Sequence, residues 1–141
     1  MADKSLHLQI IALDRILYDG QITKLTINST GGELTILPNH MPIVAVIEPA
    51  PIYVHEEDGN ERIVVIHGGY FNLFDNDLLV VADDAIFAEE IDRAREEEAV
   101  KEAEHDINET RGDNLQLARA KVRLQRSLMN LQVADSLSKL K

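Results

Sequence analysis

The sequence predicts two structural units, an antiparallel β-sandwich over residues 1–87 and an antiparallel two-helix hairpin over residues 88–141. Two observations predict this division. All four prolines and six of the seven glycines lie before residue 87, and these residues are typical of turns and disfavoured in helix interiors. Beyond residue 87 the chain is rich in Glu, Ala, Arg, Leu and Lys, which are good helix formers.

Strands are expected in the first unit because short apolar or alternating segments recur between turn signals. These segments are Leu6 to Leu13, Ile22 to Ile27, Glu33 to Leu37, Ile43 to Ile47, Ile52 to His55, Arg62 to Ile66 and Leu78 to Ala82. Gly, Asn and Asp tolerate positive φ, so tight reversals are expected at Asp19-Gly20, Asp58-Gly59-Asn60 and Asp75-Asn76-Asp77. Strands joined by such short turns need no crossover helices, which favours an antiparallel sandwich.

Two helices are expected in the second unit, because Gly112 and Asp113 supply a helix stop and a new N-cap. In the second helix, apolar residues recur at steps of three or four and share one stripe: Leu117, Ala120, Leu124, Leu128, Leu131 and Ala134. The first helix offers mostly small residues: Ile91, Ala94, Ala99, Ala103 and Ile107. Because an alanine methyl buries little area, we expect a marginally stable hairpin that can open.

The charges of the two predicted helices are opposite in sign. Residues 88–111 hold ten acidic and four basic residues, a net charge of −6, whereas residues 112–141 hold two acidic and six basic residues, a net charge of +4. These charges fit the solvated faces of an ordinary hairpin. They also fit a second role, in which the opened second helix is a basic rod of about 25 residues, roughly 38 Å long.

Composition excludes several classes of protein. A net charge of −11 disfavours nucleic acid as a partner, because binding to phosphates usually begins with a basic patch. The absence of cysteine excludes disulfides and thiolate chemistry. The longest apolar runs are about five residues, too short to span a bilayer. The segment Met1-Ala2-Asp3-Lys4-Ser5 has neither an apolar signal core nor an Arg-rich transit pattern, so a cytosolic protein is expected.

We find no motif for catalysis, phosphate binding or metal binding. The pairs Gly31-Gly32 and Gly68-Gly69 lack the residues of a phosphate loop and are expected at turns or bulges. The five histidines are scattered, without the spacing of zinc ligands. Asp75 and Asp77 resemble the start of a calcium loop, but Val80 stands where that loop needs glycine.

One segment carries a specific resemblance to a known family. The run Gly32-Glu33-Leu34-Thr35-Ile36-Leu37-Pro38-Asn39-His40-Met41-Pro42 resembles the Gly-x-Leu-x-Ile-x-Pro-x-His-x-Pro signature of the ATP synthase epsilon subunit. The resemblance continues through Val65-Ile66-His67-Gly68-Gly69 and Val80-Val81-Ala82-Asp83, in the family's order. It extends into both predicted helices, at Glu90-Ile91-Asp92-Arg93-Ala94-Arg95 and at Leu124 to Leu131, and thus covers nearly the whole chain.

The resemblance implies a sandwich of about ten strands that binds the gamma subunit, rests on the membrane ring of c subunits and turns with them. It implies no catalysis by this subunit. Residues 1–87 carry thirteen acidic and four basic residues, a net charge of −9, which complements the basic loops of the ring in this family. Matching motif positions place Glu33 at the ring contact and His40 near gamma, and Pro42, which shapes the loop with His40, is counted with them in the partner interface. The alternative is that these are solvated loop side chains.

The resemblance also gives the basic second helix a role. In the family, the extended helix inserts among the catalytic alpha and beta subunits, where an acidic segment attracts it, and blocks ATP hydrolysis. The candidates for that attraction are Arg119, Lys121, Arg123 and Arg126. Such a switch is a population shift, limited by the partner's differential affinity for the open form.

Some family members bind ATP on the folded hairpin, and this chain retains a degenerate form of their motif. Ile91, Asp92, Arg95 and Arg126 match it. Glu96, Ile86, Glu102 and Asn130 depart from it, and the two glutamates repel phosphate. We therefore expect weak or absent ATP binding at cellular concentrations, no other cofactor and no metal.

Two other functions are compatible with the composition. One is an interaction module for some other scaffold, and the other is a small hydrolase that uses His40 with Asp83 or Glu33. The ordered motifs favour the epsilon-subunit interpretation. It places the chain at the cytoplasmic face of a bacterial plasma membrane, attached indirectly through the complex, although a plastid-encoded subunit would look the same.

Overall fold

The computed structural model describes residues 5–13, 15–29, 32–110 and 112–139, with the backbone alone at 28, 29, 138 and 139. The chain divides into two units, Met1–Phe87 and Ala88–Lys141. Residues 1–4, which bear on the targeting expectation, and Gly31 lie outside the described residues. The strands of the first unit are β1 Leu6–Ala12, β2 Arg15–Ser29, β3 Gly32–Ile36, β4 Ile43–Ile47, β5 Ala50–Glu56, β6 Glu61–Ile66, β7 Gly69–Phe74, β8 Asp77–Ala82 and β9 Ala85–Phe87.

The predicted sandwich is confirmed. Neighbouring strands follow the order β4-β7-β8-β1-β2-β5-β6-β9, with β3 also paired to β2. The pairs are antiparallel except for β1 with β8, which is parallel. The 15-residue strand β2 pairs with β1 through its first half and with β3 and β5 through its second, so it belongs to both layers.

The core lies between the layers and follows from alternation along the strands. In β1, Leu6, Leu8, Ile10 and Ala12 are all buried, and the residues between them are partly exposed. Side chains of β5, β6, β7 and β8 join them in one apolar cluster. Since successive side chains of a strand point to opposite faces, this alternation fixes which face of each strand is inside.

The tight reversal expected at Asp19-Gly20 is wrong, because both residues lie inside β2, where they pair with Gln9 and Leu8 of β1. Two strands were missed by the sequence patterns, β7 Gly69–Phe74 and β9 Ala85–Phe87. In β7 the inward residues Phe71 and Leu73 alternate with exposed Tyr70 and Phe74, which are also aromatic. An apolar outer face removes the contrast on which the period-two signal depends. Strand β9 has three residues, too few to show a period.

Gly69 is required by the close approach of β7 and β8. Its φ is 152°, and a Cβ atom at this position would lie 2.1 Å from the carbonyl oxygen of Val81. Gly68, with φ 93°, precedes it in the connection between β6 and β7. The expectation of a turn or bulge is therefore confirmed for Gly68, whereas Gly69 is the first residue of β7.

The second unit begins with a 3-10 turn, Ala88–Glu90, followed by helices α1 Arg93–Glu109 and α2 Asn114–Lys139. Asp92 caps α1, since its carboxylate accepts from the backbone N–H of Arg95 at 3.2 Å. Asp113 caps α2 in the same way, accepting from the N–H of Gln116 at 3.1 Å. The predicted N-cap at Asp113 is confirmed. In the described part of the chain, neither helix is long and apolar enough to cross a membrane.

The buried part of the helical hairpin is small. Its buried apolar side chains in the described ranges are Ala88, Ala103, Ala120 and Val133, joined by the polar Ser127 and Asn130. The predicted position of Leu128 on the inner stripe is wrong, because this side chain is 48% exposed. Ser127 takes the inner position, and the next residue on a helix points about 100° away.

Candidate partner-binding sites

The loop between β3 and β4 is held against the turn between β7 and β8. The backbone N–H of Asn39 donates to Oδ1 of Asn76 at 2.6 Å, and Nδ2 of Asn76 donates to Oδ1 of Asn39 at 3.2 Å. Both asparagines have positive φ, 68° and 64°, which asparagine tolerates better than most residues. The backbone N–H of His40 closes the loop on the Leu37 carbonyl at 3.2 Å. Two distant turns thus form one rigid tip.

The predicted docking residues lie on and beside this tip. His40 is half-buried in the loop, with its Nδ1 donating to the Met41 carbonyl at 2.7 Å, and Pro42 is exposed just before β4. Glu33 is exposed near the start of β3, opposite Asn28 of β2. Four residues of strand and loop, roughly 13 Å, separate Glu33 from Leu37. The structure therefore brings His40 and Pro42 together and places Glu33 on an adjacent stretch of surface.

The form of the hydrolase alternative that pairs His40 with Asp83 is disfavoured by distance. Asp83 follows the far end of β8, whereas Asn76, which contacts the His40 loop, precedes the near end. Seven residues of strand separate them, roughly 23 Å. His40 therefore cannot share a substrate atom with Asp83.

Exposed apolar side chains at the tip were missed by the sequence patterns. Leu37, Met41 and Phe74 are all exposed by more than half. Phe74 directly precedes the Asp75-Asn76 turn, so its place beside the Asn39 loop depends on a contact 37 residues apart in sequence. Exposed apolar groups that cluster on a surface commonly mark a binding site.

A second unpredicted cluster joins strands β1, β2 and β8. Nε2 of His7 lies 2.6 Å from Oδ1 of Asp19, and its Nδ1 lies 3.2 Å from Oδ1 of Asp77. The hydrogen bond to Asp19 is the largest cause and the hydrogen bond to Asp77 the second, and together they raise the pKa of His7 above 6.5. Both ring nitrogens face carboxylates, which favours the charged imidazolium. No sequence signal links these three residues, because the register alone brings them together.

Polar contacts between the helices supplement the thin apolar interface of the hairpin. Nη2 of Arg123 donates to Oδ2 of Asp106 at 2.7 Å, and Nδ2 of Asn130 donates to Oε1 of Glu96 at 3.3 Å. A further ion pair joins Arg93 to Asp135. The hydrogen bonds to Asp135 and to Glu97 raise the pKa of Arg93. Charge complementarity therefore contributes to the closed form, as the opposite net charges of the helices suggested.

The four candidate inhibitory residues divide between two faces of α2. Arg119, Arg123 and Arg126 follow one another at steps of four and three, and they line one open groove. Lys121 is exposed and lies two residues from Arg119, about 200° around the helix. The structure therefore brings together three of the four.

The degenerate nucleotide motif is partly occupied by structural contacts. Asp92 is the N-cap of α1, and Ile91 lies between the 3-10 turn and α1. Glu96, which replaces a neutral residue of the motif, is half-buried and accepts from Asn130. Arg95 is exposed on α1 and Arg126 half-buried on α2. Weak or absent nucleotide binding stays a prediction. Among the residues that the structure covers, no cluster of three His, Asp or Glu side chains could hold a metal ion.

Comparison with known families assigns the class of protein. The family model for the ATP synthase delta/epsilon chain, β-sandwich domain, matches residues 5–88. This span covers the sandwich and more than half of the chain. The fold and the match together define a delta/epsilon chain of ATP synthase.

Full-length relatives narrow the assignment. The ATP synthase epsilon chain of Streptomyces avermitilis is 33% identical over 119 residues, which cover 84% of this chain and 92% of that protein. The epsilon chain of Streptomyces coelicolor matches with the same identity and coverage. The chain belongs to the family of ATP synthase epsilon subunits. The resemblance noted in the sequence is confirmed.

Solved structures share the fold. A chain of the Euglena gracilis mitochondrial ATP synthase, in a structure of its OSCP/F1/c-ring, matches with a TM-score of 0.74 at 21% identity, covering 92% of this chain and 81% of that one. A chain of the Tetrahymena thermophila mitochondrial ATP synthase, in a structure of its central stalk and c-ring, matches with a TM-score of 0.59 at 13% identity, covering 94% of this chain and 98% of that one. At these identities the likeness supports the fold alone.

Proposed function

We propose that this chain is a non-catalytic central-stalk subunit of a proton-translocating ATP synthase, which couples the rotor to the membrane ring and restrains ATP hydrolysis through an extendable second helix. The observation that carries the regulatory part is the thin hairpin interface. Among the described side chains of α1 and α2, the buried apolar ones are Ala103, Ala120 and Val133, and the leucines of the predicted stripe are at most partly buried. Because little apolar area is buried, opening of the hairpin costs little free energy.

The sandwich is the rotor-docking part of this proposal. Its tip, pinned by Asn39 and Asn76, presents His40 and Pro42 on a rigid loop, which suits contact with the gamma subunit. Glu33 lies beside it for the c ring, and the net charge of −9 over residues 1–87 complements basic ring loops. Attachment to the membrane is indirect in this proposal, at the cytoplasmic face of a bacterial membrane.

The second helix is the regulatory part. Helix α2 has 26 residues, so it would reach roughly 39 Å when extended. In the closed hairpin Arg123 pairs with Asp106, and an acidic segment of the catalytic subunits would replace that partner in the open form. Arg119 and Arg126 share its stripe and would join the contact, whereas Lys121 faces elsewhere. The catalytic subunits then shift the population toward the open form, to the extent that they bind the open form more tightly than the closed one.

Truncation after Ala88 tests the proposal in enzyme reconstituted into proton-tight vesicles. We expect proton-coupled ATP synthesis to survive, because the sandwich remains, and ATP hydrolysis to rise, because the blocking helix is gone. Arg123→Ala should raise hydrolysis in the same direction, while Lys121→Ala is the matched control on the opposite face. Unchanged hydrolysis after truncation would mean that the hairpin is merely structural here. Failure of the full chain to join the complex would reject the docking role.

A further inference from the structure

One histidine connects three strands of the sandwich to the tip. Nε2 of His7, on β1, lies 2.6 Å from Asp19 of β2, and its Nδ1 lies 3.2 Å from Asp77 of β8. The backbone N–H of His7 donates to the carbonyl of Asn76 at 2.8 Å. Asn76 in turn holds the loop between β3 and β4 through its two hydrogen bonds with Asn39. A continuous set of contacts therefore runs from His7 to this tip loop.

The turn in the middle of this set depends on the contacts around it. Asp75 and Asn76 both have positive φ, 49° and 64°. Positive φ is uncommon in residues other than glycine, and it persists where the surrounding structure holds it. Asp77 follows directly, and the His7 imidazole holds its side chain to β1 in addition to the strand pairing. Loss of the imidazole contact therefore leaves the turn, and the tip loop bound to it, less restrained.

Protonation decides whether His7 can hold both carboxylates. The charged imidazole donates from both ring nitrogens, whereas the neutral one donates from one nitrogen and carries a lone pair on the other. The contact with Asp19 is the shorter, and the Asp19 side chain is 49% exposed against 74% for Asp77. The remaining proton therefore stays on Nε2, toward Asp19. The lone pair of Nδ1 then repels the Asp77 carboxylate, so deprotonation releases Asp77 and the turn beside it.

The neighbours of His7 set the direction of the pH dependence. Within the described ranges, the charged groups that face His7 are Asp19 from β2 and Asp77 from β8, the two strands paired with β1. Gln21, opposite His7, and Gln9, which donates to Asp19 at 3.4 Å, are neutral. The hydrogen bond to Asp19, the larger cause, and that to Asp77 raise the pKa of His7 above 6.5. Both contacts are therefore complete in acid and are lost as the pH rises through the folded-state pKa.

We propose that His7 is a pH-sensitive clamp on the tip: its charged form fixes the Asp75-Asn76 turn and the loop that carries His40 and Pro42, and its neutral form lets both move. The clamp is a property of the chain by itself and goes beyond the proposed function. Its consequence for docking rests on that function. A loop that is fixed before binding loses less conformational entropy on docking, so the tip is a better binding surface in acid.

The test measures exchange of the Asn39 backbone amide with water, by NMR on the full chain. This N–H donates to Asn76 and so reports on the tip. Its protection factor, which removes the intrinsic pH dependence of exchange, should fall about two- to fivefold between about pH 5.5 and about pH 8.5, as suits an exposed charged contact. His7→Gln should show low protection at both values. His55→Gln is the matched control and should keep the full change, because His55 pairs with Glu61 at 3.2 Å on the other layer.

A second variant changes the clamp at a distance from the tip. In Asp19→Asn the side-chain amide can donate to Nε2 of a neutral His7, whose proton is then free to stay on Nδ1 and hold Asp77. Protection of the Asn39 amide should therefore stay high at both pH values. This variant keeps the test decisive if His7→Gln unfolds, because a change as large as that of wild type would overturn the inference.

Three other outcomes would also overturn the inference. The first is protection that does not depend on pH in wild type, and the second is a pH dependence that survives His7→Gln. The third is a pH dependence that is lost in His40→Gln and kept in His7→Gln, which would assign the sensing to the histidine of the tip loop itself. Since the sample contains this chain alone, rejection of the docking role would leave the clamp standing, and rejection of the clamp would leave the docking role standing.

Discussion

The ion pair between Arg123 and Asp106 gives a direct test of whether charge holds the hairpin closed. We expect Asp106→Asn to shift the chain toward the open form, because it removes the carboxylate that Arg123 contacts at 2.7 Å. The two side chains are 55% and 44% exposed, so solvent screens them and the pair contributes about 0.2–1 kcal/mol. Its loss multiplies the ratio of open to closed chains by roughly 1.4 to 5.

Paired spin labels can measure this ratio. The chain contains no cysteine, so single cysteines introduced at Glu98 of α1 and Gln125 of α2, both exposed, are labelled without background. Pulsed electron–electron double resonance then separates the short label-to-label distances of the closed hairpin from the long distances of the open one. In salt near 1 M, where the screening length is about 3 Å, the difference between wild type and variant should shrink.

A matched control separates the ion pair from the helix dipole. Asp106 lies in the last turn of α1, where a negative charge is unfavourable, so its neutralisation also stabilises the helix. Glu109→Gln makes the same charge change in the same turn, and the comparison of the two variants isolates the pair. Exchange of the charges, Asp106→Arg with Arg123→Asp, should restore the closed form. Equal open fractions in Asp106→Asn and Glu109→Gln would refute the reasoning.

Three further predictions concern stability and ligands. Since the pKa of His7 is raised in the folded state, the stability that its charged form contributes is complete below about pH 6.5 and is lost as the pH rises through the folded-state pKa. Urea unfolding should therefore show a larger difference in unfolding free energy between wild type and His7→Gln at about pH 5.5 than at about pH 8.5. A difference that does not depend on pH would contradict this. Gly59→Ala, with φ 91° but open space around it, should cost only the strain of its backbone conformation, about 1–2 kcal/mol in thermal unfolding. Gly69→Ala should cost about 1–3 kcal/mol or more beyond such strain, because its Cβ would overlap the Val81 carbonyl; similar losses in the two variants would argue against the close contact. Calorimetric titration with ATP should detect weak binding or none, because the Glu96 carboxylate is half-buried, bonded to Asn130 and repels phosphate. Micromolar affinity would reject that prediction.

The sequence patterns predicted the architecture where one face of an element is apolar and the other is polar. Strand β1 shows this contrast, with Leu6, Leu8 and Ile10 inside and His7 and Gln9 outside. Strand β7 lacks it and was missed, because Tyr70 and Phe74 make its outer face apolar as well.

The sequence patterns could not predict contacts between residues that only the strand pairing brings together. His7 and Asp77 are 70 residues apart, and Asn39 and Asn76 are 37 apart. In α2, the spacing placed Leu128 on the inner stripe, but a helix with mixed small and large residues allows a rotation that puts Ser127 inside. The roles of Glu33, His40 and Pro42 came from family resemblance, and they stay predictions until binding is measured.

The long strand β2 has a mechanical consequence for a protein proposed to sit on a turning shaft. Its first half is hydrogen-bonded within one layer and its second half within the other. Shear between the two layers must therefore strain a continuous peptide chain as well as slide apolar side chains past one another. A load applied to one layer reaches the other along covalent bonds, so the sandwich should transmit torque as a stiff block while the hairpin stays free to change state.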